Sequence, residues 1–235
     1  MIPKVVHVSW KSKNVVSSNF KIIKQGLRKL IELNPDWRVE VSTDEEVDVY
    51  LREHLKKDYN LVKDAGIVAK TDIWRLIKLF NEGGVYTDID RLWNVKLSDL
   101  IDDSIKWVLP TCADVDFSHD LMITAPNNPA YANTINLYLQ RRREGSNNIY
   151  FLGAQTYMHA VSHTLLGEMI NTDPGPEVFK RIRDKIEQFP FIKTYKETHP
   201  YDTICYKGDV SMQAWETMKR KFYANSGVKH WTGEW

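Results

Sequence analysis

Two acidic residues one position apart, Asp88 and Asp90, are the strongest chemical feature of this sequence. They end a short apolar stretch, residues 85–90, that follows an amphipathic segment and a glycine turn. Side chains two positions apart leave the same face of a strand, so both carboxylates are expected to address one point. Carboxylate oxygens suit a hard divalent cation such as Mn²⁺ or Mg²⁺, which can neutralise a departing diphosphate. The pattern predicts a site for a metal ion and a diphosphate at the rim of a sheet.

Taken alone, this tripeptide is a weak signal, because paired acids beside a turn are more often solvated surface residues. A calcium loop of the EF-hand type is a poor alternative, because the later oxygen ligands and the twelfth-position Glu are missing. Asp72 and Arg75 stand three positions apart on the preceding helical segment. In isolation that spacing is typical of an exposed ion pair. The local pattern therefore leaves a surface role and a ligand-binding role both open.

The elements around this stretch alternate between strand and helix, which predicts a parallel sheet with helices on its faces. Thr43 and Glu46 form a capping box at the start of the second helix. Gly83 and Gly84 end the third helix, because glycine takes the conformation that a helix stop needs. The predicted order is strand 4–10, a helix from Ser17 or Ser18 to Asn34, strand 37–41, helix 43–56, helix 67–81 and strand 85–90.

The second half of the chain continues with weaker patterns. Residues 114–120 are polar and acidic and are expected to overhang the site. Candidate acceptor contacts in that insert are Asp114, Asp116, His119 and Asp120. Three consecutive arginines, 141–143, are expected to form a solvated helix end that suits the helix dipole. Further strands are predicted at 106–109, 121–125, 191–194 and 203–206. Further helices are predicted at 129–143, 155–166 and 211–222, and a basic helix that ends near 189 follows the Pro/Gly break at 173–176.

Composition limits the class of protein. The chain has 235 residues, 43% of them hydrophobic, which is enough for one large domain with a sizeable core. A net charge of +1 gives no reason to expect nucleic acid as a partner. Cys112 and Cys205 form neither a disulfide framework nor a zinc motif. No apolar run suggests a signal peptide or an integral membrane segment, so we expect a cytoplasmic protein for which peripheral membrane contact stays open.

Residues 71–90, TDIWRLIKLFNEGGVYTDID, closely resemble the core of the glycosyltransferase family that carries the DXD sugar-binding region. That family includes yeast outer-chain initiating mannosyltransferases and bacterial capsular and lipopolysaccharide sugar transferases, and it is related to the clostridial glucosylating toxins. The opening IPKVVHVSW, residues 2–10, and Asn34-Pro35 are similar to further family motifs. The resemblance covers roughly residues 1–95 well and implies a GT-A type α/β fold, with a Rossmann-like, mostly parallel central sheet flanked by helices.

By this resemblance, Asp88 meets the ribose of the donor and the metal ion, and Asp90 ligates the metal that bridges the diphosphate. Asp72 and Arg75 match residues that contact the donor sugar and its phosphates. Trp10 matches an aromatic residue that stacks on the nucleotide base. These residues, together with Tyr86 of the same core, form the expected catalytic and donor-binding set.

The end of the chain, HWTGEW, is similar to the closing motif of the family. The similarity implies that His230 is a third metal or diphosphate contact and that Trp235 covers the phosphates. The sequence departs from the family at Gly233-Glu234, where Gly-Ser is usual, which removes a hydroxyl and adds a negative charge. A second departure is Gly153-Ala154-Gln155, where the family has a Gly-Pro element.

The resemblance implies a metal-dependent glycosyltransferase, a hexosyltransferase, that moves a sugar from a UDP- or GDP-sugar to a glycan acceptor with retention. Residues 1–95 would then form the nucleotide-sugar-binding half of a single domain, and residues 96–235 the acceptor half and a C-terminal lid. One alternative is a non-catalytic module of the same fold that binds nucleotide sugars or carbohydrate. A nucleotidyltransferase is a poorer match, because the first strand is not followed by a phosphate loop rich in glycine and lysine.

Overall fold

The structure, a computed structural model, describes residues 1–15, 21–112, 116–168, 170, 175–194 and 212–226. Its centre is a six-stranded sheet in the order β2-β1-β3-β7-β4-β8. Strand β7 is antiparallel to both neighbours, and the other pairings are parallel, which confirms the predicted mostly parallel sheet. The strands of this sheet are β1 Val5–Ser9, β2 Arg38–Ser42, β3 Gly84–Thr87, β4 Trp107–Leu109, β7 Leu121–Thr124 and β8 Ile192–Thr194; β5 Thr111–Cys112 and β6 Asp116–Phe117 form a separate antiparallel pair.

Helices cover both faces of the sheet. The described helices are α1 Lys21–Leu33, α2 Asp44–Leu55, α3 Ile67–Glu82, α4 Leu97–Leu100, α5 Pro129–Arg143, α6 Thr156–Leu166, α7 Pro176–Ile186 and α8 Met212–Ser226. A 3₁₀ segment, Lys56–Leu61, follows α2, and a π-helical turn, Phe151–Gln155, precedes α6. Both hydrogen bonds of the predicted capping box at Thr43 are present. None of the described helices combines the length and apolarity that a membrane crossing requires.

Alternating strand residues build two apolar cores, one on each face. Val85 and Ile123 belong to the core beneath α1, α4 and α8, whereas Tyr86 and Met122 belong to the core beneath α2, α3, α5, α6 and α7. Adjacent strand residues point to opposite faces, so a sheet with both faces covered needs an almost continuous apolar sequence. This requirement explains why β1 reads VVHVS.

The turn between α3 and β3 needs its two glycines. Gly83 and Gly84 have φ values of +67° and +98°, a region that residues with a Cβ atom rarely adopt. A Cβ atom on Gly84 would also lie 2.6 Å from the carbonyl oxygen of Val5. His7 is buried, and its Nε2 lies 3.0 Å from the carbonyl oxygen of Gly83. His7 is therefore a buried histidine of the core.

Several predictions from the sequence are wrong. Strand β3 ends at Thr87, so the two aspartates lie in the turn that follows and not on one face of a strand. The amide of Asp88 donates to the carbonyl oxygen of Asp120 at 2.9 Å, which ties the end of the strand to a loop. Arg141 is buried, and its Nη1 donates to the Thr156 hydroxyl at 2.6 Å, because α6 packs across the end of α5.

Some predictions fall outside the described residues. These are the helix cap at Ser17 or Ser18, Asp114, strand 203–206, and the tail with His230 and Trp235.

Candidate active site

A cavity of about 480 Å³ opens at the carboxyl ends of β1 and β3. In parallel α/β sheets this edge is where ligands bind, because several strand ends and their loops meet there. The described residues of the expected catalytic and donor-binding set line this cavity, namely Trp10, Asp72, Arg75, Tyr86, Asp88 and Asp90. His119 and Asp120 line it as well, as do Lys219 and Tyr223 of α8.

The Asp72–Arg75 ion pair is buried. The guanidinium of Arg75 contacts Asp72 Oδ1, and each side chain is only 7% exposed, so the exposed-pair interpretation is wrong. Arg75 Nη1 also donates to the carbonyl oxygen of His119 at 2.7 Å. The guanidinium lies over the ring of Tyr86, with 4.5 Å between its carbon and the ring centre. These contacts fix the guanidinium in place at the floor of the cavity.

Asp88 shares this floor. Its Oδ1 accepts a hydrogen bond of 2.6 Å from the Tyr86 hydroxyl, and Arg75 Nη1 lies 3.5 Å from the same oxygen. The side chain of Asp88 is 39% exposed, in contrast to that of Asp72. Tyr86 and Arg75 therefore hold the Asp88 carboxylate in position, while part of it stays accessible from the cavity.

Asp90 lies under α8. Its Oδ2 is 3.1 Å from Lys219 Nζ, and it accepts a hydrogen bond of 3.0 Å from the hydroxyl of Tyr223. The Asp90 side chain is 8% exposed. Neither Lys219 nor Tyr223 was predicted to be a site residue. Their spacing of four places them on one face of a helix, but nothing local in the sequence connects that face with Asp90.

The loop between β6 and β7 braces the turn that carries the aspartates. The buried side chain of Arg91 contacts the carboxylate of Asp120. The same carboxylate accepts a hydrogen bond of 2.5 Å from the Ser118 hydroxyl. Both Asp120 and His119 reach the cavity, so they remain candidates for acceptor contact.

Gly153 is a further residue that sequence analysis did not assign to the site. It lies in the π-helical turn, and a Cβ atom added there would be 3.0 Å from Asp72 Oδ2 and 3.3 Å from the His119 ring. The missing side chain leaves room beside the second oxygen of Asp72. Gly153 is the first residue of the changed Gly-Pro element, which was the available signal.

Burial is the largest influence on the pKa values of the ionisable residues in the cavity. It raises the pKa of Asp72 to about 6, although Arg75 acts in the opposite direction. The pKa of Asp88 is also raised, by burial and by repulsion from Asp120 and Asp90, with Arg75 again opposing the rise. Burial and the positive charge of Arg75 lower the pKa of His119 well below its usual value. His119 is therefore neutral at pH 7.

The carboxylate oxygens of Asp88 and Asp90 are suitable ligands for a hard divalent cation. Asp88 and Asp90 supply carboxylate oxygens at the wall of one cavity, and both Mn²⁺ and Mg²⁺ prefer oxygen ligands. Mg²⁺ in particular is usually held by one or two carboxylates, with waters and substrate phosphates completing its shell. Two aspartates are therefore a sufficient protein contribution for such an ion.

Comparison with known proteins agrees with this geometry. Residues 21–107 match the family described as glycosyltransferase sugar-binding region containing DXD motif. The chain is 24% identical over 136 residues to mannosyl phosphorylinositol ceramide synthase CSH1 of Saccharomyces cerevisiae. That alignment covers 57% of this chain and 35% of the yeast protein. It is 25% identical over 132 residues to the SUR1 synthase of the same yeast, with 56% and 33% covered. The chain thus spans about a third of the length of these curated relatives.

The fold has a solved counterpart. The PaToxG glycosyltransferase superposes with a TM-score of 0.55 at 19% sequence identity, covering 80% of this chain and 76% of that chain. At this identity the likeness concerns the fold alone. The chain therefore has a GT-A type α/β fold, and its residues 21–107 are similar in sequence to the glycosyltransferase family with the DXD sugar-binding region.

Proposed function

We propose that this protein is a metal-dependent hexosyltransferase that moves a sugar from a UDP- or GDP-sugar to a glycan acceptor, with retention at the anomeric carbon. One observation carries the proposal: a buried, fixed arginine and the two aspartates of the DXD motif meet in one cavity at the carboxyl end of β3. Transfer from a diphosphate carrier needs this combination, because negative charge accumulates on the leaving group.

Arg75 supplies a fixed positive charge for the leaving diphosphate. Its guanidinium is held by Asp72, by the His119 carbonyl oxygen and by the Tyr86 ring, so little reorganisation is needed when charge develops nearby. Neighbouring Tyr86, Asp72 and Asp88 raise the pKa of Arg75 and outweigh the opposing effect of burial. The arginine therefore stays charged throughout the reaction.

Asp72 orients the donor sugar. One of its oxygens binds Arg75, and the other faces the space that Gly153 leaves open. A carboxylate oxygen in that position can accept a hydrogen bond from a sugar hydroxyl, which fixes the anomeric carbon relative to the diphosphate. Trp10, at the end of β1, lines the same cavity and provides a flat ring for the nucleotide base.

Asp88 and Asp90 would hold the Mn²⁺ or Mg²⁺ ion, with His230 as a third contact by family resemblance. When bound, such an ion neutralises charge on the diphosphate as it leaves. Retention follows from departure and attack on the same face, with the diphosphate taking the proton of the acceptor hydroxyl. His119 and Asp120 line the same cavity and are the residues we assign to acceptor binding.

The two yeast relatives are named for mannosyl phosphorylinositol ceramide synthesis, so mannose is the first sugar to test. We also propose a cytoplasmic protein that acts on a glycan in solution or on a lipid-linked glycan reached by peripheral membrane contact. An acceptor panel that includes both kinds separates these sources.

The test measures nucleoside diphosphate released from a panel of UDP- and GDP-hexoses with Mn²⁺, with and without acceptors. Asp88→Asn and Asp90→Asn should each abolish release, whereas Asp64→Asn, a substitution of an exposed aspartate, should not change it. Full activity in either DXD variant would end the proposal. Binding of a nucleotide sugar without any release would instead identify a non-catalytic module.

A further inference from the structure

Helix α8 directs two hydrogen-bond donors at one oxygen. Lys219 and Tyr223, one helical turn apart, both contact Asp90 Oδ2, at 3.1 and 3.0 Å. The Lys219 side chain is 15% exposed, although its ammonium is among the most strongly hydrated groups in proteins. Such a charge is withdrawn from water at a cost, which a carboxylate partner offsets. The arrangement therefore places a built-in cation at a proposed metal ligand.

The same helix also covers the proposed base site. Met218, Phe222 and Trp10 pack against the same apolar core, and the rings of Trp10 and Phe222 are 6.3 Å apart. Among residues 217–225 of α8, positions 218, 219, 222 and 223 face inward, whereas Lys221 is exposed. One face of α8 thus borders both Asp90 and the proposed base site.

A divalent ion on Asp90 and the Lys219 ammonium compete for the same oxygen. Two positive groups that share one carboxylate repel each other, and the repulsion is stronger because the Asp90 side chain is only 8% exposed. A donor, however, brings two phosphates whose oxygens accept hydrogen bonds from an ammonium. A lysine side chain can move its ammonium from the carboxylate to a phosphate, because the four-carbon stem is flexible and the ammonium has three N–H groups that donate hydrogen bonds.

We propose, on the basis of the function proposed above, that Lys219 is a diphosphate-binding residue of the donor site. In the ligand-free protein its ammonium neutralises Asp90. When donor and metal ion enter, the ammonium turns from Asp90 Oδ2 to a phosphate oxygen, and the carboxylate becomes available as a ligand. Lys219 thereby balances the charge of Asp90 in the ligand-free protein and that of a phosphate oxygen in the donor complex.

Two binding measurements test this assignment on Lys219→Met. Mn²⁺ titrated into nucleotide-free protein should bind the variant about tenfold more tightly, because the competing charge is gone. UDP or GDP titrated at saturating Mn²⁺ should bind about tenfold more weakly, because one phosphate contact is lost. Lys219→Arg should retain the nucleotide affinity, and Lys221→Met on the exposed side of α8 should match the wild type in both titrations.

The opposite signs separate a ligand contact from structural damage. If Lys219→Met weakens both affinities, or leaves both unchanged, the assignment is overturned while the proposed function stands. Wild-type protein that binds neither Mn²⁺ nor any nucleotide overturns the proposed function itself. Circular dichroism and the melting temperature of each variant show whether the fold is retained.

Discussion

Arg75 Nη1 donates a hydrogen bond of 2.7 Å to the carbonyl oxygen of His119, which joins α3 to the loop between β6 and β7. The second terminal nitrogen of the guanidinium, Nη2, binds Asp72 on the same helix. One planar group thereby fixes the carboxylate that we propose to orient the sugar and the loop that we propose to bind the acceptor. A lysine ammonium lacks the two parallel N–H groups of the guanidinium and could not make both contacts in this geometry.

Arg75→Lys should lower kcat by at least about a hundredfold, because the ammonium cannot bind Asp72 and the His119 carbonyl while facing the diphosphate. The loss should appear in kcat more than in KM, since the charge acts on the leaving group. Steady-state nucleotide release from the preferred donor is the measurement.

Arg52→Lys is the matched control for that variant. Arg52 is exposed and pairs with Asp48 on the surface of α2, so its replacement should leave kcat unchanged. An Arg75→Lys variant with wild-type kcat would show that a precise fork is not required and would contradict the role assigned to Arg75.

Gly153→Ala should reduce transfer by about tenfold or more, because the new methyl group would sit 3.0 Å from Asp72 Oδ2 and occupy the space for a sugar hydroxyl. The KM for the donor sugar should rise, while the affinity for UDP or GDP alone should stay constant. Gly66→Ala serves as control, since no atom lies within 4 Å of its added Cβ. An equal loss of affinity for nucleotide and for nucleotide sugar would contradict the position assigned to the sugar.

Asp72 should make the stability of the protein depend on pH. Its pKa is about 6 in the folded protein and near 3.8 when unfolded, so the folded state binds more protons between these values. The stabilising contribution is present below the unfolded pKa and is lost as the pH rises through 6. The free energy of unfolding of wild type relative to Asp72→Asn should therefore fall by about 2 kcal/mol from pH 4.5 to pH 7.5.

Urea unfolding of both proteins at several pH values measures this difference, in which the titrations of all other groups largely cancel. The exposed Asp64→Asn variant should show a difference that is flat across the same range. A flat difference for Asp72→Asn would mean that its carboxyl group titrates as in the unfolded chain, and the burial argument would fail.

Gly84→Ala should destabilise the protein by about 3 kcal/mol or prevent folding, because the residue has a φ of +98° and its Cβ would lie 2.6 Å from the Val5 carbonyl oxygen. The shift of the urea midpoint is the measurement. Gly66→Ala, in the extended region with open space around it, should change stability by less than about 1 kcal/mol. Similar midpoints for the two variants would refute the close approach of β1 to the turn.

The α3–turn–β3 unit and the residues that it brings to the site could be predicted from the sequence alone. Helical periodicity defined α3 over 67–81, against Ile67–Glu82 in the structure, and the glycine pair located the turn. Asp72, Arg75, Asp88 and Asp90 lie within this one contiguous motif. Such a unit is predictable because local periodicity and turn chemistry decide which elements form and which faces are apolar.

The distant groups that complete the cavity, and the position of the two aspartates in a turn, depend on how the elements pack and could not be predicted from the sequence. Tyr223 reaches Asp90 across 133 positions of sequence, and Arg91 meets Asp120 through a loop. Arg141 is buried because α6 packs over it, which no local pattern indicated. Periodicity records whether a position is buried, but a contact between polar groups far apart in sequence depends on the packing of whole elements. That packing set the partners of Asp90, and with them the charge balance at the DXD motif.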